Sequence, residues 1–248
     1  MTKFLSSTFV FLALLVSGNF SLAAKPTPQV ELKPTTVDII NLPAENRKMV
    51  LGGEQGAKLY PEFQAVAFNE TQPMSLRWRA IMAMAEAKKQ EALPDLLKAG
   101  QNNSWYMRNA ALVALKEIHP AEAELMARRL LKDKALVVRS AAVEALRTNT
   151  SADVRDILWE ELNQSYNFKN KSSLWIRAQI VDVLSVKPKN HELTMFSNLL
   201  NDKDDRLQLP AVRGLERLTG VKLGEGKMKQ SALISLWKNY IKKENIQL

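Results

Sequence analysis

The chain has 248 residues, with 35 Lys and Arg against 26 Asp and Glu, a formal charge of +9, and no cysteine. Disulfides, thiolate nucleophiles and cysteine-ligated metals are therefore excluded. A hydrophobic content of 46% over this length is enough to bury a sizeable core without disulfides.

The first 24 residues have the pattern of a secretory signal peptide. Lys3 precedes an apolar run over residues 4–16, and the small-residue segment SLAA closes the pattern at 21–24. The run is shorter than the about 20 apolar residues that span a membrane, and no later stretch approaches that length. We predict cleavage after Ala23 or Ala24 and a periplasmic or secreted mature chain without a transmembrane helix. An uncleaved N-terminal anchor is the alternative.

Residues 25–45 are predicted to form a proline-containing linker followed by an N-terminal strip. Pro26, Pro28 and Pro34 with few apolar neighbours indicate an extended tether. The apolar, β-branched residues 37–42 fit either a short strand or a strip that covers the first repeat. The remaining chain, 46–248, is predicted to be helical.

A repeat organises this helical part. A slot that usually holds arginine recurs at spacings of 31, 31, 38 and 31 residues, and small or aliphatic residues follow it at +3, +6 and +7. The slots are Arg77, Arg108, Arg139, Arg177 and Gln208. Positions −1, +3, +6 and +7 fall on one helical stripe, which predicts buried faces. Pro94 and Pro120 suit the first turns of intervening helices, so each repeat is predicted to be a helix pair.

The C-terminal segment is predicted to cap the array. Gly220 suits a left-handed helix C-cap, and a final helix is expected over residues 229–243. Its predicted packing face is formed by Leu233, Leu236, Trp237, Tyr240 and Ile241.

The segments VVRSAAVEAL at 137–146 and YMRNAALVAL at 106–115 resemble HEAT repeats in their short bacterial form, the phycobilisome-lyase-type HEAT-like repeats. Looser copies stand at 76–85, 175–184 and 207–216, so the resemblance covers about residues 55–220. It implies an all-α fold, an α-solenoid wound as a right-handed superhelix. About five helix pairs and the capping helix would form it, with the second helix of each pair on the concave side.

The resemblance also implies a ladder of hydrogen bonds between repeats, formed with an Asp six residues before the Arg. Asp133 and Asp202 stand at that spacing, whereas Thr71, Asn102 and Lys171 occupy it in the other copies. The ladder is therefore expected to be incomplete and less rigid at Lys171. The residues assigned to inter-repeat contacts are Arg108, Asp133, Arg139, Arg177 and Asp202.

Aromatic residues near the turns and polar residues that face away from the buried stripe are the candidate partner-binding set. Trp and Tyr are enriched in binding hot spots, but they also fill the ends of helical layers. A polar insertion at 163–173 is expected to emerge as a loop that either contacts a partner or is merely tolerated. The candidates are Trp78, Trp105, Tyr106, Asn109, Lys116, Arg147, Tyr166, Phe168 and Trp175.

No catalytic or metal-binding pattern stands out, and no cofactor is expected. His119 and His191 have no second ligand at a suitable spacing. Glu144 and Asp182 occupy equivalent positions of successive second helices, where we expect them to pair with Arg147 or Lys116. Together with Glu216 they interrupt the basic stripe that nucleic-acid binding would need.

The sequence favours an exported, non-enzymatic scaffold, expected to be monomeric, that binds a protein or peptide in the bacterial periplasm or cell envelope. A narrower version is an inhibitor or self-protection protein for an envelope enzyme. Two alternatives stay open. The first is a binder of an anionic envelope polymer or lipid surface, whose binding should fade with salt. The second is a HEAT-like lyase or accessory factor with a small-molecule pocket.

Overall fold

The computed structural model of the chain describes residues 34–224 and 228–244, and most of these residues are helical. The predicted signal peptide and residues 25–33 of the predicted linker lie outside the described residues. Within the described part, no helix is both long enough and apolar enough to cross a membrane.

The described chain opens with two short helices, α1 (Thr36–Asn41) and α2 (Ala44–Leu51). Thr35 caps α1, because its hydroxyl accepts from the Asp38 amide while the Asp38 carboxylate accepts from the Thr35 amide. Ile39 and Ile40 of α1 are buried. Of the two alternatives for residues 37–42, the strand is therefore wrong. The helical part of the chain begins about ten residues before the predicted boundary at 46.

Five helix pairs follow. We call the members of each pair the first and the second helix. The pairs are α3 (Glu54–Phe68) with α4 (Met74–Lys88), α5 (Leu93–Ala99) with α6 (Trp105–Ile118), α7 (Pro120–Leu130) with α8 (Leu136–Ala145), α9 (Ala152–Leu162) with α10 (Ile176–Val186), and α11 (Leu193–Leu199) with α12 (Gln208–Thr219). Short 3-10 helices at Lys89–Ala92, Asn190–Glu192 and Asp205–Leu207 lead into α5, α11 and α12. The chain is thus an all-α solenoid.

The predicted buried stripe is the contact surface between repeats. Almost all of its residues are buried, and Leu76 and Ala145 are half-buried. Each second helix packs on the second helix of the next repeat, so α4, α6, α8, α10 and α12 form one continuous layer. Gly214 of α12 shows why small residues are needed, since a Cβ there would lie 2.7 Å from the Phe196 ring. Close approach of the helices therefore depends on this stripe.

The insertion folds as a small hairpin between α9 and α10. A 3-10 turn at Ser165–Asn167 leads into β1 (Phe168–Lys169), which pairs antiparallel with β2 (Ser172–Ser173). The two turn residues, Asn170 and Lys171, have φ of 51° and 63°, as a tight two-residue hairpin turn requires. The expected loop is therefore an ordered hairpin attached to the fourth repeat.

The array ends in α13 (Gln230–Lys243), which packs against α12. Gly220 ends α12 in the left-handed conformation, as the sequence predicted. Trp237 is fully buried, with Ile234 and Ile241 beside it. Leu236, by contrast, is 40% exposed, so its assignment to the packing face was wrong.

We expect Trp237→Ala to lower the free energy of unfolding by about 3–5 kcal/mol, because it leaves a large cavity between α12 and α13. Leu236→Ala, one residue away on the exposed side of the same helix, is the matched control and should cost far less. Urea denaturation of both variants measures the difference. Equal losses would show that Trp237 is not buried by this contact.

Candidate functional site

Buried arginines connect each second helix to the turn of the next repeat. The guanidinium of Arg108 donates to both carboxylate oxygens of Asp133 at 2.6 and 2.7 Å, and its Nη1 donates to the carbonyls of Asn102 and Asn103 at 2.8 Å. Arg177 repeats the arrangement with Asp202 at 2.8 Å. The Asp of each pair thus serves the arginine of the preceding repeat, which makes these contacts the predicted inter-repeat ladder.

The insertion changes the ladder at Arg139. This arginine donates to the side-chain oxygen of Asn167 at 3.1 Å and to the Tyr166 carbonyl at 2.9 Å. Asn167 is itself buried and donates to the Glu161 carbonyl at 2.7 Å. Counting six residues back from Arg177 predicted Lys171 as the acceptor residue of this step, because the count did not allow for where the insertion lies. Lys171 is instead exposed at the hairpin turn, and the step at Arg139 has an acceptor.

Three of the aromatic candidates stack on the ladder arginines. The guanidinium carbons of Arg139 and Arg177 lie 5.3 and 4.7 Å from the ring centroids of Tyr166 and Phe168, respectively. Tyr106 likewise lies under Arg77, at 5.4 Å, and its hydroxyl accepts from that arginine at 2.6 Å. Cation–π contacts of this kind stabilise guanidinium groups that are removed from water. These three rings are thus engaged within the array, and a contact with a partner stays a prediction for them.

Tyr166 is further held by its hydroxyl, which donates to the carboxylate of Glu161. Burial and this neighbouring carboxylate raise the pKa of Tyr166 above its usual range. The side chain is therefore a neutral hydrogen-bond donor at physiological pH. It anchors the start of the hairpin to α9.

The outward positions of the second helices form a chain of polar contacts. Glu144 lies 2.8 Å from Arg147, which also reaches Asp182 at 2.9 Å, and Arg213 pairs with Asp182 at 2.6 Å. Lys116 lies 3.9 Å from Glu144 at the other end. Glu144 and Asp182 thus lie where the sequence placed them, as ion-pair partners. Burial opposes ionisation of Asp182, but Arg147 and Arg213 outweigh it and lower its pKa, so it is poorly suited to act as a general acid.

An apolar groove of about 790 Å³ lies at the start of this face, between α2, α4 and α6. Trp78 and Met82 line it, and the Trp78 indole nitrogen donates to Asn109 at 3.1 Å. Ala85 is buried and lies in the groove wall. The rim carries Lys48, Lys89 and Glu117, and the largely buried Glu86 lies in the wall.

The sequence analysis did not predict the groove wall that α2 forms. Arg47 of α2 donates to both carboxylate oxygens of Glu86 on α4, at 2.6 and 2.8 Å, and to the carbonyls of Ile40 and Leu42 at 3.2 Å. The pair is largely buried, with side-chain exposures of 6% and 8%. It holds α2 over the first repeat and so encloses the groove.

Residues 65–147 of the chain match the family model described as HEAT repeats. This segment of the chain therefore contains HEAT repeats. The match runs from the end of α3 to just beyond α8, and the later helix pairs continue the same packing and the same arginine contacts. A search of curated proteins finds no match. HEAT repeats are typical of protein-interaction scaffolds, which makes the second-helix face and the turns the surfaces of interest.

A second buried ion pair joins the fourth helix pair to the fifth, and the sequence analysis did not predict it. Arg155 of α9 donates to the two carboxylate oxygens of Glu192 at 2.6 and 2.5 Å, and the Trp159 indole nitrogen donates to the same carboxylate at 3.0 Å. Glu192 is fully buried, and these donors outweigh its burial and lower its pKa. The sequence does contain one sign of this ion pair, because Arg155 lies between Val154 and Leu158 on the apolar side of α9.

The remaining tryptophan candidates, Trp105 and Trp175, lie at the starts of α6 and α10 and are exposed. Trp105 packs edge-on against Tyr106, with ring centroids 6.0 Å apart. The structure therefore divides the predicted set between two regions. Trp78, Asn109, Lys116 and Arg147 belong to the second-helix face. The other five lie near the turns that precede the second helices.

We expect Asp133→Asn to lower the free energy of unfolding by about 3–5 kcal/mol, because it leaves the buried guanidinium of Arg108 without its counter-charge. Glu54→Gln is the matched control, since the exposed Glu54–Lys58 pair should contribute nothing measurable. Urea denaturation at neutral pH checks both variants. A loss at Glu54 as large as that at Asp133 would contradict a structural role specific to the ladder.

Proposed function

We propose that this HEAT-repeat protein is an exported, non-enzymatic scaffold that binds a protein partner through the face of its second helices. The groove lined by Trp78 and Met82 carries this proposal. Its volume of about 790 Å³ lies within the usual range for binding pockets, about 300–1,000 Å³. It opens on the same layer as the ion-pair chain formed by Lys116, Glu144 and Arg147, so one partner can contact both.

The chemistry of the groove fits an apolar side chain of a polypeptide. Since Asn109 satisfies the indole nitrogen of Trp78, the ring offers an apolar surface without a buried unpaired donor. Arg47 neutralises Glu86, which leaves Lys48 and Lys89 against Glu117 on the rim. A partner that inserts an apolar residue and places an acidic residue toward the two lysines would match both the groove and its rim. Large apolar anchors in pockets are typical of binding hot spots.

A role in the periplasm or cell envelope is supported by the N-terminal sequence pattern. The apolar run at 4–16 and the small residues at 21–24 have the order of an exported protein's signal. An inhibitor or self-protection protein for an envelope enzyme is the narrower form of the same proposal. Such a protein needs a rigid binding surface and no catalytic group.

Substitutions in the groove should weaken partner capture. We expect Met82→Glu, which places a charge on the apolar wall, to reduce capture of partner protein from an envelope fraction by more than about tenfold. Leu125→Ala, on the first helix α7, is the control, because Leu125 is 61% exposed and remote from the groove. Capture at low and at high salt is compared by quantitative mass spectrometry. Undiminished capture by Met82→Glu would contradict the groove as the anchor site.

Export predicts a defined mature N-terminus. When the full gene product is expressed with a functional secretion pathway, we expect the protein to accumulate outside the cytoplasm and to begin at Ala24 or Lys25. Intact-mass measurement of the purified protein identifies the terminus. Replacing Leu14 and Leu15 with Arg should interrupt the apolar run and leave the uncleaved chain inside the cell. Cytoplasmic accumulation of the unaltered chain would show that the segment is not an export signal.

A further inference from the structure

A row of exposed apolar residues runs along the edge of the array where the second helices begin. Each member directly precedes its second helix or is the first or second residue of it, and each is 39% to 49% exposed. The members are Met74, Trp105, Val137, Trp175 and Leu209. One such residue in every repeat is more than the scattered apolar exposure of ordinary surfaces, and it indicates an interaction surface.

The opposite ends of the same helices differ. Among the described residues, Val186 is the one large apolar residue of comparable exposure at a second-helix C-terminus. The row is therefore a property of one edge, which we call the turn edge, and not of the second helices in general.

The row is continuous because neighbouring second helices run parallel in register. The indole nitrogen of Trp78 on α4 donates a hydrogen bond to Asn109 on α6, and each of these residues directly follows the arginine slot of its repeat. Packed helices lie about 8–10 Å apart, so the five residues extend over roughly 35 Å. A chain in the extended polyproline II conformation rises about 3.1 Å per residue with three residues per turn, so every third residue lies on one face and would meet the next member of the row. The row thus fits an extended polypeptide of about a dozen residues.

The turn edge is also basic in the last three repeats. Its exposed lysines form no ion pair among the described residues. They are Lys132, Lys134, Lys169, Lys171 and Lys203. Three of the four carboxylates in these turns, those of Asp133, Asp202 and Asp204, are bound to arginines. Only Asp205 remains to offset the lysines in this described part of the chain.

A cleft of about 650 Å³ interrupts the turn edge between the hairpin and the turn before α12. Lys171 and Lys203 line it, together with Phe168 and the amides of Asn163 and Asn201. Because Asp202 and Asp204 in its wall are already paired with Arg177 and Arg206, the lysines are available to an incoming carboxylate.

We propose that the turn edge binds an extended, acidic segment of a partner protein. Apolar residues at about every third position of that segment contact the row, and its carboxylates pair with the lysines and enter the cleft. A chain laid along the edge suits the row better than a lipid surface does, since its members expose less than half of their area and lie beside a concave site. The inference is independent of the groove around Trp78.

The test uses two synthetic peptides of about twelve residues with leucine at every third position. One carries glutamate at the remaining positions and the other carries lysine. We expect the acidic peptide to bind, with fluorescence anisotropy as the measurement, and the lysine peptide not to bind. Trp175→Ala and the pair Lys171→Glu with Lys203→Glu should each weaken binding by roughly tenfold. The lysines form no ion pairs in the array, so their substitution is not expected to impair folding.

Leu125→Ala and Lys238→Glu are the matched controls, as both residues are exposed and lie away from the turn edge. Equal binding of the two peptides, or acidic-peptide binding that the turn-edge variants leave unchanged, would overturn the proposal. Vesicles of phosphatidylglycerol and phosphatidylcholine test the other class of partner. Vesicle binding lost in Trp175→Ala, without binding of the acidic peptide, would assign the edge to lipid. Met82→Glu should leave peptide binding intact, which separates this surface from the groove.

Discussion

The alignment of the repeats depends on one requirement, which is that the buried guanidinium groups have oxygen atoms as hydrogen-bond acceptors. Arg77, Arg108, Arg139 and Arg177 are each at most 7% exposed, and an unpaired buried charge costs several kcal/mol. Each of them finds acceptors in its own repeat and near the turn of the next repeat, although the Nη2 of Arg77 has no partner. The position of one repeat therefore fixes the position of its neighbour. The apolar stripe supplies most of the buried area, and the arginines determine how successive repeats align.

The fourth repeat shows that the acceptor matters more than the residue that provides it. At Arg139 an amide and a main-chain carbonyl of the insertion do what a carboxylate does at Arg108. A neutral amide cannot form an ion pair with the arginine at that step, but the Tyr166 ring and the nearby carboxylates of Asp133 and Glu161 stabilise its charge. The insertion is thus part of the inter-repeat contact and also forms one wall of the turn-edge cleft.

The repeat spacing and the small-residue pattern were enough to predict the helix pairs, the buried stripe and the capping Trp237, because these features depend on local periodicity. The same spacing failed at Lys171, since an insertion shifts which residue meets the arginine and the sequence does not show where the shift occurs. The pairs Arg47–Glu86 and Arg155–Glu192 join residues 39 and 37 positions apart outside the repeat slots. No local pattern links such partners. Among the candidate aromatics, the sequence could not separate rings that stack on arginines from rings that are left exposed.

The two surfaces proposed for binding follow from the structural role of the acidic residues. The ladder pairs Asp133 and Asp202 with Arg108 and Arg177, so carboxylates that would balance the turn lysines are used inside the array. The turn edge is consequently basic although its sequence contains several acids. On the second-helix face the opposite holds, because Glu144 and Asp182 lie between basic residues on the surface and neutralise them. An acidic partner would therefore be drawn to the turn edge, and an apolar anchor would be held at the groove. The arginine contacts that align the repeats thus also decide where the excess positive charge of the chain is exposed.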